Sequence, residues 1–225
     1  MVMDEIIINE ADTGSGSAPE QSQDKKIRTI ADALISGKVL VMPASTIYGI
    51  SCCYDDSKAL NRIYKIKRRR PDMPFIVLIS NIAQLEILVK DLNTTAKKLI
   101  GQYWKIKKPR PLTLIFKKSY DGTGHIADAI GTIAIRMAGL KVMRDIIELS
   151  GPIVSTSATI SGTSINPEDL SAVPSYICEN VDMVVRLKGA LKGTESTIVD
   201  ITGKIPVLIR EGAISFKDMI RELQL

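Results

Sequence analysis

KKIRTIADALISGKVLVMPASTIYG, residues 25–49, decides the class of fold. Ile27, Ile30, Ala31, Leu34 and Ile35 recur at the spacing of one helical face, and Gly37 stands where a helix C-terminus favours glycine. The spacing predicts a helix over Lys25–Ser36. Val39 to Met42 is a short apolar run of strand type, closed by Pro43 and followed by a loop of small and hydroxyl residues, Ala44 to Gly49. A helix, a buried strand and a polar loop in succession are the working unit of an α/β domain.

The pattern continues outward. Ser57 is placed to cap a helix with Leu60, Ile63 and Tyr64 on one face, running into a basic cluster before Pro71. Strands are expected at Phe75–Ile79, Leu112–Phe116, Thr132–Arg136, Pro152–Ser155, Met183–Leu187, Thr197–Ile201 and Val207–Arg210. Helical spacing recurs at Leu85, Leu88 and Val89, from Thr94 to Trp104, and from Val142 to Leu149. Ser215 and Asp218 open a last helix with Phe216, Met219, Ile220 and Leu223 inward. Interleaved helices and strands, some strands consecutive, predict a single α/β domain with a twisted mixed parallel and antiparallel sheet flanked by helices. Residues 1–24 read as an N-terminal strand and a flexible segment containing Gly14 to Pro19; residues 25–225 read as the domain.

Composition narrows the function. The 225 residues are 45% hydrophobic, with no run near the ~20 apolar residues of a bilayer span. Three cysteines, Cys52, Cys53 and Cys178, form neither a disulfide framework nor a zinc-ligand spacing, so a reducing cytoplasm and no metal site are expected. The net charge of +5 favours anionic partners. Lys65, Lys67, Arg68, Arg69 and Arg70 concentrate it, and guanidinium forks suit phosphate. The later lysines, from Lys97 to Lys118, read as a solvated face.

Motifs that are missing are informative. There is no P-loop and no G-x-S-x-G, and Gly122 and Gly124 lie in no strand-to-helix context for a dinucleotide. His125 is the one histidine, so acid–base catalysis by imidazole has little support. Hydroxyl-rich loops at strand ends remain: Pro43–Gly49, Ser155–Gly162, Glu195–Thr197 and Arg210–Gly212. That inventory suits phosphates and a small zwitterion, with catalysis by positioning and charge neutralisation.

These segments resemble the YrdC-like threonylcarbamoyl-adenylate synthases over about Ile27 to Leu223. Pro43 to Gly49 is similar to the family's P-T-x-T-[VI]-Y-G. Lys67-Arg68-Arg69 with Pro74-Phe75 is similar to its K-x-R with a following P-L, and Trp104 with Pro109 to Thr113 to its W-P-G-P-L-T. Ile133 to Arg136 is similar to V-A-V-R, and Thr156 to Thr159 with Ser161-Gly162 to T-S-A-N and S-G. Glu195 to Asp200 and Ile209 to Gly212 carry no visible change. Ala44, Arg110 and Thr159 stand where the family has threonine, glycine and asparagine.

The resemblance implies a YrdC-like fold and a nucleotidyl transfer. L-threonine, bicarbonate and ATP with Mg2+ would give threonylcarbamoyl-AMP and pyrophosphate, for tRNA modification by partner proteins. It implies nucleotide contacts and catalytic roles for Lys67, Arg69, Ser157 and Thr159, a nucleotide contact for Arg210, and threonine contacts for Thr46, Arg136, Thr156 and Ser196. The alternative reading is a double-stranded RNA- or ribosome-binding paralogue carried by the basic cluster.

Overall fold

A computed structural model describes residues 4–10, 19–70, 73–119, 131–162, 167–189, 191 and 193–223. Pro71, Gly122, Gly124, His125 and the stretch from Gly14 to Ala18 lie outside them.

The described chain runs β1 (Asp4–Asn9), α1 (Pro19–Ile35), β2 (Leu40–Pro43), β3 (Tyr48–Cys53), α2 (Ser57–Lys67), β4 (Ile76–Ile79), α3 (Leu85–Leu88), α4 (Thr94–Tyr103), β5 (Leu112–Lys117) and β6 (Thr132–Met137). It continues with α5 (Lys141–Ser150), β7 (Ile153–Ser157), α6 (Ser175–Glu179), β8 (Met183–Lys188), β9 (Thr197–Asp200), β10 (Val207–Arg210) and α7 (Phe216–Leu223). The strands form one sheet in the order β1-β8-β2-β3-β7-β4-β6-β5-β9-β10. Pairing is mixed as expected: β1–β8, β2–β8, β4–β6 and β5–β9 are parallel, the other neighbours antiparallel. Helix α1 packs on α5 and reaches β1 and β3, α2 packs on β3, and α5 on β4.

Local chemistry explains most boundaries. Asp56, rather than Ser57, caps α2; its carboxylate accepts from the N–H groups of Lys58 and Ala59. The helix stops at Lys67 because Arg68 turns left-handed (φ 51°), three residues before the expected proline stop. Helix α1 starts at Pro19, six residues ahead of the predicted Lys25.

The largest surprise is β3. Tyr48–Cys53 has no apolar alternation, because all six residues are buried on both faces at the centre of the sheet. Gly49 lies there by necessity. A Cβ on it would sit 2.6 Å from Ser155 Oγ and 3.0 Å from the Thr156 carbonyl oxygen.

Gly212 is held by the same constraint. A Cβ would meet the Glu195 carbonyl oxygen at 2.4 Å and backbone atoms of Ser196 at 2.6 and 2.7 Å. Gly212→Ala is therefore expected to destabilise the protein by about 1–3 kcal/mol through overpacking. Gly101, in α4 with nothing near its absent side chain, should respond oppositely, gaining about 0.5–1 kcal/mol as alanine. Urea unfolding of both variants checks the pair; equal midpoints would refute the steric account.

Candidate active site

Register assembles the site. Across β6, β5, β9 and β10, Arg136 stands opposite Thr113, Thr113 opposite Ile198, and Ile198 opposite Arg210. A register shift between Leu208 and Arg210 puts Arg210 in that row. On the other side, β3 and β7 bring Gly49 opposite Ser157 and Ser51 opposite Ser155. Between these flanks lies a cavity of about 270 Å³. Arg69, Arg136, Arg210, Glu195, the hydroxyl residues Thr46, Ser155, Thr156, Ser157 and Ser196, and the apolar Ile47, Phe75 and Ile198 line it.

Arg136 is the buried cation of the site, only 6% exposed. Its Nη2 donates to the Ala44 carbonyl at 2.6 Å, while its Nε has no acceptor. Among the described residues no carboxylate pairs with it. Burial, reinforced by the charge of Arg210, pushes its pKa down to about 10, and the charge of Glu195 opposes the shift.

Arg210 has its own partners. Its Nη1 pairs with Glu195 Oε2 at 2.7 Å, and Nη2 donates to the Ser196 carbonyl at 2.9 Å. Ser196 Oγ shares a 2.8 Å hydrogen bond with Thr113 Oγ1, both fully buried. Thr197 ties the neighbouring turn, donating to the Ile214 carbonyl at 2.6 Å and accepting from the N–H groups of Gly212 and Ile214 at 3.0 Å.

The two cations from the basic cluster part company. Arg69 reaches the cavity; its Nη2 donates to the Pro74 carbonyl at 3.0 Å and its guanidinium lies over Phe75, 5.4 Å from the ring centre. Lys67 stands behind the cavity wall and does not line it. It is 1% exposed, and its Nζ donates to the carbonyls of Ser157 and, at 2.7 Å, Thr159. Thr159 Oγ1 is engaged by Ser157 Oγ at 3.0 Å. Lys67 thus clasps the loop after β7 from below. Burial, with Arg69 nearby, lowers its pKa to about 7.

A sequence-family model for Sua5, YciO and YrdC proteins, described as telomere recombination, matches residues 32–212. The chain belongs to the Sua5/YciO/YrdC family. The threonylcarbamoyl-AMP synthase of Pyrococcus abyssi is 32% identical over 201 residues, 89% of this chain and 58% of that protein. The chain therefore spans a little over half of that relative's length. Superposition on P. abyssi Sua5 complexed with L-threonine gives a TM-score of 0.83 at 30% identity, over 96% of this chain and 60% of that one. Escherichia coli YciO, at 22% identity, shares the fold end to end: TM-score 0.79 over 96% of this chain and 98% of that one.

In this family member the cavity collects Thr46, Arg69, Arg136, Thr156, Ser157, Ser196 and Arg210 of the residues singled out from sequence. Lys67 and Thr159 do not line it. Glu195 and the apolar wall were missed. Glu195 lay in a quoted segment, but its pairing with Arg210 spans fifteen residues and two elements, leaving no local signal. Among the described residues no group of His, Cys, Asp and Glu could hold a metal ion, and no helix is long and apolar enough to cross a membrane.

Lys67 supplies a pH signature. Its proton leaves at about pH 7 in the folded chain but near the ordinary 10.5 in the unfolded one. Between those values the unfolded state binds more protons, so stability rises with pH. A neutral amine still has two N–H donors for the two carbonyls. Lys67→Met should remove this rise. The unfolding free-energy difference between wild type and variant, followed from pH 6 to 10, should grow in the wild type's favour; a constant difference would defeat the assignment.

Proposed function

We propose that the chain makes threonylcarbamoyl-AMP from L-threonine, bicarbonate and ATP, as a step towards a modified tRNA adenosine. The observation that carries the reading is Arg136, a buried guanidinium facing the cavity without a carboxylate of its own. A buried, unpaired cation is costly, and an α-carboxylate offers the planar fork that relieves it. The name of the P. abyssi relative supports the product, and the threonine complex of P. abyssi Sua5 supports the amino acid.

The chemistry is balanced without an acid–base histidine. The threonine amine and bicarbonate combine to a carbamate and water. A carbamate oxygen then bonds to the α-phosphorus of ATP, the α–β P–O bond breaks, and pyrophosphate departs with the electron pair. Two anions must meet, so cations are needed. Arg136 would hold the amino-acid carboxylate and Thr46 its polar end. Arg69, aimed by the Pro74 carbonyl and Phe75, would face the triphosphate. Ser157 and Thr156 would donate to phosphate oxygens. Magnesium would arrive as the counter-ion of the triphosphate, carried by substrate oxygens.

Three residues act through others in this reading: Lys67 and Thr159 shape the loop that presents Ser157, and Glu195 steadies Arg210, while Ser196, held by Thr113, faces the cavity itself. A reducing cytoplasm fits Cys52, Cys53 and Cys178 as free thiols, with burial pushing all three pKa values up.

Pyrophosphate release from ATP and bicarbonate should depend on threonine. Arg136→Lys keeps the charge and loses the fork. It should raise the threonine requirement roughly 10- to 100-fold, the loss of a charge-assisted hydrogen bond of about 1.5–3 kcal/mol. Calorimetry should find ATP affinity changed by no more than about twofold, since the fork is assigned to the amino acid. Equal weakening of both ligands would remove the assignment to Arg136. Release that ignores threonine would sink the synthase reading and leave Lys65 to Arg70 to be tested against double-stranded RNA.

A further inference from the structure

Two residues other than glycine hold a left-handed backbone among the described residues, Arg68 and Ser45. Arg68 ends a helix, where that conformation is common. Ser45 ends none. It lies in the loop from Ala44 to Ile47 that joins β2 to β3, closed by the Pro43–Tyr48 pair and by the Ala44 N–H donating to the Ile47 carbonyl at 2.9 Å. A φ of 77° on serine is a local cost, so something outside the turn must hold it. The holder is the segment that follows Arg136. Ser45 Oγ accepts from the N–H groups of Gly139 at 2.7 Å and Leu140 at 3.3 Å, at the entrance to α5. That segment is itself fixed: Arg144 Nη1 donates to the carbonyls of Ala138 and Gly139, both at 2.9 Å, and the Ala138 N–H donates to the Ile79 carbonyl at 2.9 Å. The approach is close enough that a Cβ on Gly139 would lie 2.9 Å from Ser45 Cβ.

We infer that Ser45 is a positioning residue, whose anchored hydroxyl holds the turn that aims the Ala44 carbonyl at the Arg136 guanidinium. The Ala44 carbonyl belongs to the peptide that ends at the Ser45 nitrogen, so φ of Ser45 sets where it points. At the left-handed φ it accepts from Arg136 Nη2 at 2.6 Å. With the side chain anchored, the negative φ that serine ordinarily adopts would swing this carbonyl roughly 140° about the N–Cα bond, away from the guanidinium. The same turn sets Thr46, the next residue, in the cavity wall, where its carbonyl accepts from the Gly193 N–H at 2.8 Å. Both ends of the clamp lie on the chain that carries Arg136, because Gly139 and Leu140 follow directly from β6. Ser45 thereby ties the β2–β3 loop to the strand whose cation it orients. That Arg136 then receives an amino-acid carboxylate rests on the proposed synthase reaction; the aiming of Arg136 does not.

Hydrogen exchange of the buried Arg136 Nε–H, followed by nitrogen-15 NMR on the full chain and identified by its loss in Arg136→Lys, reads the order of the guanidinium directly. The indole N–H of Trp104, the chain's single tryptophan, is the reference for the core; it is buried and donates to the Leu112 carbonyl at 2.9 Å. Ser45→Ala removes the acceptor and disfavours the left-handed turn. It should speed Arg136 exchange roughly tenfold or more, as expected for the loss of a buried hydrogen bond, and leave Trp104 within about twofold. Ser45→Asn keeps an acceptor and tolerates the turn, and should stay closer to wild type than to Ser45→Ala. Should Ser45→Ala not fold, Ser45→Gly, which accepts the turn and lacks the hydroxyl, carries the same comparison. Unchanged Arg136 exchange, equal acceleration of both probes, or an asparagine variant as fast as the alanine one would each overturn the inference. In the proposed reaction Ser45→Ala should also raise the threonine requirement roughly tenfold with ATP affinity within about twofold. A chain whose pyrophosphate release ignores threonine would defeat that reaction and leave the exchange result standing.

Discussion

A buried guanidinium with no counter-ion among the described residues stands at the centre of the candidate site. Arg136 stands near the end of β6, deep enough that burial lowers its pKa, and it borders the cavity. Its Nη2 donates to a backbone carbonyl, that of Ala44, an acceptor that does not belong to the side chain at position 44. The substitution at Ala44 therefore changes the cavity wall and not this bond. Placing a cation here is unfavourable in the empty protein. The surrounding sheet over-determines it, with β4 and β5 paired on either side of β6.

Lys67 shows the contrasting solution to the same problem. It too is buried, but its donors meet the carbonyls of Ser157 and Thr159. It is structural in geometry, and what it supports is the loop that faces the cavity. The basic cluster is thus not one phosphate patch. Arg68, the left-handed cap of α2, turns out over Tyr176, Arg69 turns in, and Lys67 turns under. Lys67 is the last residue of α2, and the left-handed turn at Arg68 ends the helix before Arg69.

Most elements were legible in the chain. β2, β4 to β10, and α2, α4, α5 and α7 lie within a few residues of their expected spans, because apolar spacing and capping residues report burial locally. β3 was not legible. A strand buried on both faces carries no alternation, and Tyr48-Gly49 reads as the end of a loop. The short α6 gave little periodicity to read over five residues. Of the site, the family resemblance located seven residues that the cavity does gather, and two, Lys67 and Thr159, that stand behind it.

The chain by itself determined the class of fold, the basic and hydroxyl-bearing segments and the family they resemble, since each is a property of residues near one another in sequence. Tertiary structure alone decided which cations line the cavity and which stand behind it. It also decided that Glu195 belongs to Arg210 and that Arg136 has no carboxylate partner among the described residues. Those outcomes depend on register and burial, set by pairings between strands far apart in the chain, and no local pattern encodes the distance between two side chains that only the sheet brings together.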